Sequence, residues 1–200
     1  MANICSNVSA IIGPHEDLVD IRDKVNGVLA KGFVGLICVL EEYGFTKEEI
    51  NGAYHRGDLE GEAEIKDEGT PNEHLLIWYQ SAWSPCNETW ELIIESKYPR
   101  CAHYYLAEEC GCEVYVNTDP TGRYFPETFY LDGYDETTGS CLPDFDGCSA
   151  VNEGDALRLI NGWLRMNGHE VAFESVGDAQ EYVDTLGECS YIMIHEYASC

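Results

Sequence analysis

Asn3-Ile-Cys-Ser-Asn-Val-Ser-Ala-Ile-Ile12, followed at once by Gly13-Pro14, is the stretch from which the rest of the chain is read. Ile4, Ser6, Val8, Ala10 and Ile12 alternate along it, so it reads as a strand with small and apolar residues turned inward. Gly13-Pro14 ends the strand. Leu18, Ile21, Val25, Val28 and Leu29 then recur at helical spacing, which predicts an amphipathic helix from His15 to Leu29. A second helix is expected on Phe33, Leu36, Ile37, Leu40 and Tyr43, closed by Gly44. Thr46 with Glu49 forms the capping-box pattern of a short third helix reaching about Tyr54.

Outward from there, residues 55–73 are polar and Gly-rich. Glu60, Glu62 and Glu64 alternate in them as an edge strand whose like charges discourage edge-to-edge pairing. His74 to Ala82 reads as a strand. Ser84-Pro85 reads as the N-cap and first residue of a helix that buries Trp90, Ile93 and Ile94. Cys101 to Leu106, Glu113 to Asn117 and Tyr124 to Leu131 read as three successive strands. The turn from Thr118 to Gly122 is expected to join the last two as a hairpin.

Asp132 to Val151 is a loop rich in Gly, Asp and Ser and marks a boundary. Beyond it come a helix on Leu157, Ile160, Trp163 and Leu164 stopped by Gly168, and a strand from His169 to Glu174. A helix capped by Ser175 with Asp178 and a strand from Tyr191 to Tyr197 follow. The expected class is α+β. An antiparallel sheet with helices packed on one face fills residues 1–135, an acidic loop covers 136–150, and an α-β-α-β extension over 151–200 packs on the same core.

Several short segments resemble one family together. Asn3-Ile4-Cys5-Ser6-Asn7, then Ile12-Gly13-Pro14 and an acidic helix, is similar to the opening of the Api92-like, YubB-type proteins of phages and plasmids. Ala82-Trp83-Ser84-Pro85, the helix with Trp90, Lys97-Tyr98-Pro99 and the Tyr104-Tyr105 strand resemble them as well. The resemblance covers about residues 1–135. Ile4 stands where the family usually has an aromatic, and the turn after the tyrosines reads Cys110-Gly111-Cys112. The resemblance implies a ferredoxin-like core and a mobile-element origin, and it implies no chemistry.

Charge is the outstanding feature of the composition. Thirty-seven Asp and Glu stand against eleven Lys and Arg, a formal net charge of −26. A field of that sign excludes direct binding to nucleic acid or to an anionic membrane and favours a basic protein partner. Aromatics along the central strands, from Tyr104 to Tyr130, lack the neighbouring cations that base-stacking sheets use, and a helix-covered face accounts for them. The chain opens without a basic or long apolar leader, and its apolar runs are too short to span a bilayer. A cytoplasmic protein with reduced thiols, many of them buried, is the expectation.

Three sets of residues bear on chemistry. Cys101, His103, Cys110 and Cys112 offer three thiols and an imidazole to a tetrahedral zinc, although the Cys110–Cys112 gap is shorter than zinc sites use. Asp144, Asp146 and Glu153 partly match a calcium loop, with Leu142 where the first ligand belongs. Arg100, Arg123, Arg158 and Arg165 are the cations that could hold a nucleotide. No thiol, hydroxyl or histidine sits in a nucleophile signature, and there is neither a phosphate loop nor a dinucleotide fingerprint. No cofactor is therefore expected, and the protein is expected not to be an enzyme.

Charge and resemblance lead to one expectation: an inhibitor of a bacterial defence system, of anti-CRISPR or anti-restriction type. It would act without catalysis, as a DNA mimic whose carboxylates occupy a basic nucleic-acid-binding groove. The expected contact surface is Glu60, Glu62, Glu64, Asp67, Glu68, Asp132, Asp135, Asp144 and Asp146. Two alternatives are a sponge for a nucleotide signal, built on the four arginines, and a metal-dependent enzyme built on the Cys101–Cys112 cluster.

Overall fold

The computed structural model of the chain describes residues 3–135, 140–141, 148–186 and 190–199. The chain divides into two compact units, Met1–Asp119 and Pro120–Cys200. Among the described residues no helix is long and apolar enough to cross a membrane.

The first unit contains β1 (Ile4–Ile12), α1 (His15–Ala30), α2 (Leu36–Glu42), α3 (Lys47–Gly52), β2 (Gly57–Leu59) and β3 (Glu64–Lys66). After these come β4 (His74–Ala82), α4 (Asn87–Lys97), β5 (Ala102–Glu109), a turn of 3-10 helix at Cys110–Cys112, and β6 (Val114–Asn117). The sheet runs β2-β4-β1-β5-β6, with β3 also on β4, and every pairing is antiparallel. β1 is central because it can satisfy both edges: Ile11 faces Leu75 on β4 and His103 on β5. Leu18, Ile21, Val25 and Val28 of α1 and Trp90, Ile93 and Ile94 of α4 bury against Ile11, Leu75, Ile77 and Tyr79. The capping box at Thr46 and Glu49 and the left-handed Gly44 stand as expected.

The second unit is a four-stranded antiparallel sheet of β7 (Phe129–Asp135), β8 (Ser140–Cys141), β9 (Cys148–Ala150) and β10 (Ser190–Glu196). α5 (Glu153–Met166) and α6 (Val176–Thr185) belong to it. Its core packs Leu131 and Ile192 of the sheet against Ala156, Ile160, Leu164, Ala179 and Val183 of the helices.

Five readings of the sequence need correction. The buried face of β1 is Cys5, Asn7, Ser9 and Ile11; of the even-numbered set only Ala10 is buried, and Ile4 is 59% exposed. Helix α4 begins two residues late, because the Ser84 carbonyl is taken by the Ser81 hydroxyl at 2.6 Å and Cys86 becomes the cap. No hairpin joins Asn117 to Tyr124. Thr118 stays on Tyr105, accepting from its N–H at 2.8 Å, and Pro120 and Pro126 cannot donate to a ladder, so the next strand begins at Phe129 in the other sheet. The unit boundary accordingly precedes β7 instead of following it. Finally, residues 169–174 form no strand. The Asn161 side chain supplies the pairing instead, accepting from the Phe173 N–H at 2.9 Å and donating to its carbonyl at 3.0 Å.

Candidate functional site

The acidic edge is broken in two. β2 and β3 flank a bend around Gly61, and Glu60, Glu62 and Glu64 are all exposed. Glu60 accepts from the Gln80 amide, and Glu64 is paired with Lys66. Glu68 approaches His15 at 3.9 Å, and Asp67 holds a left-handed turn at φ 51°. Only Glu62 of the three alternating glutamates keeps its carboxylate without a partner among the described residues. On the second sheet Asp132 lies partly buried in β7 opposite Met193, and Asp135 ends that strand. Asp144 and Asp146, with the calcium-loop reading built on them, lie outside the described residues.

A stronger acidic surface went unread. Residues 166–200 contain no Lys or Arg at all. Glu170, Glu174, Asp178, Glu181, Asp184 and Glu196 are exposed there. Asp178, Glu181 and Asp184 follow one another at three-residue steps along α6, and among the described residues only Asp184 of the three receives a side-chain bond, from Gln180 at 2.7 Å. The signal was present in the sequence as a cation-free run rather than as a cluster of acids.

The cations are mostly spent locally. Arg22, Lys24, Lys31, Lys66, Arg100 and Arg158, six of the eleven Lys and Arg, each lie within ion-pair distance of a carboxylate. Of the four arginines considered for a nucleotide, Arg100 bonds Glu16 at 3.1 Å and Asp17 at 2.8 Å, and Arg158 bonds Asp155 at 3.2 Å. Arg123 and Arg165 are exposed.

The proposed zinc ligands are not brought together. Cys101 precedes β5 and meets Asp17 at 3.9 Å, whereas Cys112 follows the strand and lies 3.6 Å from the Asn3 amide. β5 is eight residues long, which separates the two thiols by roughly 25 Å. Among the described residues no group of three or more His, Cys, Asp or Glu can hold a metal ion.

His103 belongs instead to a polar network buried under the helices. Its Nε2 lies 2.9 Å from the Ser9 hydroxyl, which lies 3.2 Å from the phenol of Tyr79. Asn7 donates to the Cys5 carbonyl at 2.7 Å and to the Ser81 hydroxyl at 2.9 Å. Burial moves the His103 pKa down to about 4, so its ring is neutral near pH 7. Burial also pushes the thiols of Cys5 and Cys86 up to about 11 and about 12, which leaves them poor nucleophiles.

A groove of about 460 Å³ lies in the first unit at the junction of β1, β2 and β4. Ile4, Ile37, His55, Arg56, Asp58 and Ala82 contribute to its lining. Compared with known proteins, the chain matches no family model, no curated protein and no solved structure.

Proposed function

We propose that the protein is a non-catalytic acidic inhibitor that occupies the basic nucleic-acid groove of a bacterial defence effector. The observation that carries this reading is the cation-free acidic run from residue 166 to residue 200, with six exposed carboxylates on α6 and the segments around it. Carboxylates presented without neighbouring cations compete for the same Lys and Arg that bind phosphate, and they displace the same counterions. The net charge of −26 adds long-range steering toward such a groove. A phage or plasmid origin is supported by the sequence resemblance of residues 1–135. A ferredoxin-like first unit is supported by its element order, which reads β-α-β-β-α-β over β1, α1, β2 with β3, β4, α4 and β5, with α2 and α3 added after α1 and β6 after β5, and by β1 lying between β4 and β5.

The test is capture of the tagged protein's partners from a nuclease-treated bacterial lysate, eluted by stepped salt. A basic nucleic-acid-binding protein released only by salt is the expected result. A variant with Glu170, Glu174, Asp178, Glu181 and Asp184 changed to their amides should lose that partner. A variant with Glu41, Glu48, Glu91 and Glu95 neutralised should keep it. Retention of the partner by the first variant overturns the acidic-run mechanism.

A further inference from the structure

The exposed large hydrophobic side chains are not evenly scattered. Among the described residues eight large hydrophobic side chains are exposed. Five of them, Ile4, Phe33, Val34, Ile37 and Trp83, sit on three segments tied together at one end of the first sheet. The Leu59 N–H donates to the Val34 carbonyl at 2.7 Å, and the Trp83 N–H donates to the Asn3 carbonyl at 3.1 Å. Concentrations of this kind mark binding sites. Trp83 is held at φ 73°, a conformation costly for a side chain of its size, and stays 48% exposed.

The 460 Å³ groove opens among these segments, within the range that small ligands occupy. Its geometry follows from the register. Gly57 faces Ser81, and the Ala82 N–H donates to the Arg56 carbonyl at 3.1 Å, so the ladder runs on one residue past β2. Ala82 in turn faces Ile4. Arg56, Ala82 and Ile4 therefore form one row across three strands, with the smallest residue in the middle. That places the outer two about 10 Å apart, enough for a side chain to lie between them.

Asp58 lies two residues from Arg56 along the strand and so shares its face, about 7 Å away. Neither forms an ion pair with any described residue, in a molecule where six other Lys and Arg are paired. His55 Nδ1 lies 2.8 Å from the Ala53 carbonyl, and when the ring is neutral it donates there and leaves Nε2 as an acceptor. The groove thus combines one anion receptor, two acceptors for a cationic N–H group, and an apolar wall.

We infer that this groove binds a small apolar zwitterion of the α-amino-acid type. Arg56 takes the carboxylate, Asp58 and His55 take the ammonium group, and Ile4 and Ile37 take the apolar side chain. The field of the whole chain opposes net anions, and a zwitterion escapes that penalty. This site is separate from the acidic run of the second unit, so either proposal can fail alone.

The experiment is isothermal titration of the full chain with L-leucine and L-phenylalanine, beside 4-methylpentanoate, 3-phenylpropanoate and the two amino-acid amides. Saturable 1:1 binding of one or both amino acids is expected. The deaminated acids and the amides should bind about tenfold or more weakly, as expected for loss of one charge-assisted contact. Arg56→Gln and Asp58→Asn should each cost about the same factor. Both positions are exposed, so an unchanged thermal midpoint separates lost binding from lost folding. Chemical-shift changes confined to the groove provide an independent readout. Absence of binding up to about 10 mM, far weaker than charge-assisted contacts give, overturns the proposal. Equal binding of the deaminated acids, or unchanged binding by Arg56→Gln, does the same.

Discussion

Ser9 and Tyr79 meet diagonally across the β1–β4 pair, hydroxyl to hydroxyl at 3.2 Å, on the face that the helices cover. Ser9 is fully buried and also serves His103, so one small side chain satisfies two large ones. Removing its hydroxyl leaves both without a partner, whereas removing the phenol leaves Ser9 still bonded. Ser9→Ala is expected to cost about 1–3 kcal/mol and Tyr79→Phe about 1 kcal/mol or less. Urea unfolding at neutral pH gives both values, and an equal or reversed order would remove Ser9 from the centre of the network.

The same network makes stability depend on pH. The His103 pKa lies at about 4 in the folded chain against 6.5 for the free ring. Between those values the unfolded state binds the proton and the folded state does not, so acid favours unfolding. Stability attributable to His103 is complete above about pH 6.5 and is lost as the pH falls toward 4, by up to about 3 kcal/mol. Carboxylates titrate in the same range, so the measurement is the difference between the wild type and His103→Phe from pH 4 to pH 7. Parallel curves would contradict the assignment.

Thiol reactivity should divide by place. Cys110 and Cys112 are exposed, and Cys5 and Cys86 are buried with raised pKa values. Alkylation near pH 8, mapped by mass spectrometry, should label Cys110 and Cys112 in the folded protein. Cys5 and Cys86 should react only after denaturation. Early labelling of Cys5 would mean that the end of β1 opens readily.

Glu113 holds a left-handed conformation at φ 54°, and its side chain is exposed. Glu113→Gly relieves that strain and removes one negative charge, so it should stabilise by about 1 kcal/mol. In a chain of this size the midpoint rises by about 2–4 °C. A lower midpoint would show that the turn after β5 tolerates the glutamate without strain.

Self-repulsion predicts the response to salt. With a charge of −26, raising sodium chloride from about 10 mM to about 500 mM shortens the Debye length from about 30 Å to under 5 Å. The thermal midpoint is expected to rise over that range. A flat response would mean that the carboxylates lie too far apart to strain the fold.

Helices were legible wherever a cap and an apolar stripe agreed, as at Thr46 with Glu49 and at Ser175 with Asp178. β4 was legible to the residue, because Leu75, Ile77 and Tyr79 alternate without competition. β1 was found but turned the wrong way up. Its buried face carries Asn7 and Ser9, whose cross-strand hydrogen-bond partners Ser81, Tyr79 and His103 lie about 70 to 95 residues further along and leave no local trace. The pairing of Phe173 by the Asn161 side chain is hidden for the same reason. Site residues were missed differently. Gathered charges stand out in a sequence, whereas the informative features are Arg56 and Asp58, two residues apart, and a run of 35 residues with no Lys or Arg.

The central position of β1 has a consequence for synthesis. The strand that must be flanked on both sides is made first, and its second neighbour is complete only at Glu109. At about 5–20 residues per second, β1 waits roughly 5–20 s after it is made before both edges can be satisfied. During that time the stretch from Ile4 to Ile12 has unpaired backbone on at least one side, and on both until β4 is complete at Ala82, the condition in which a strand captures another copy of itself. A chain halted before β5 would therefore be prone to aggregate, and its yield should fall with slower elongation more steeply than that of a fold whose first strand lies at an edge.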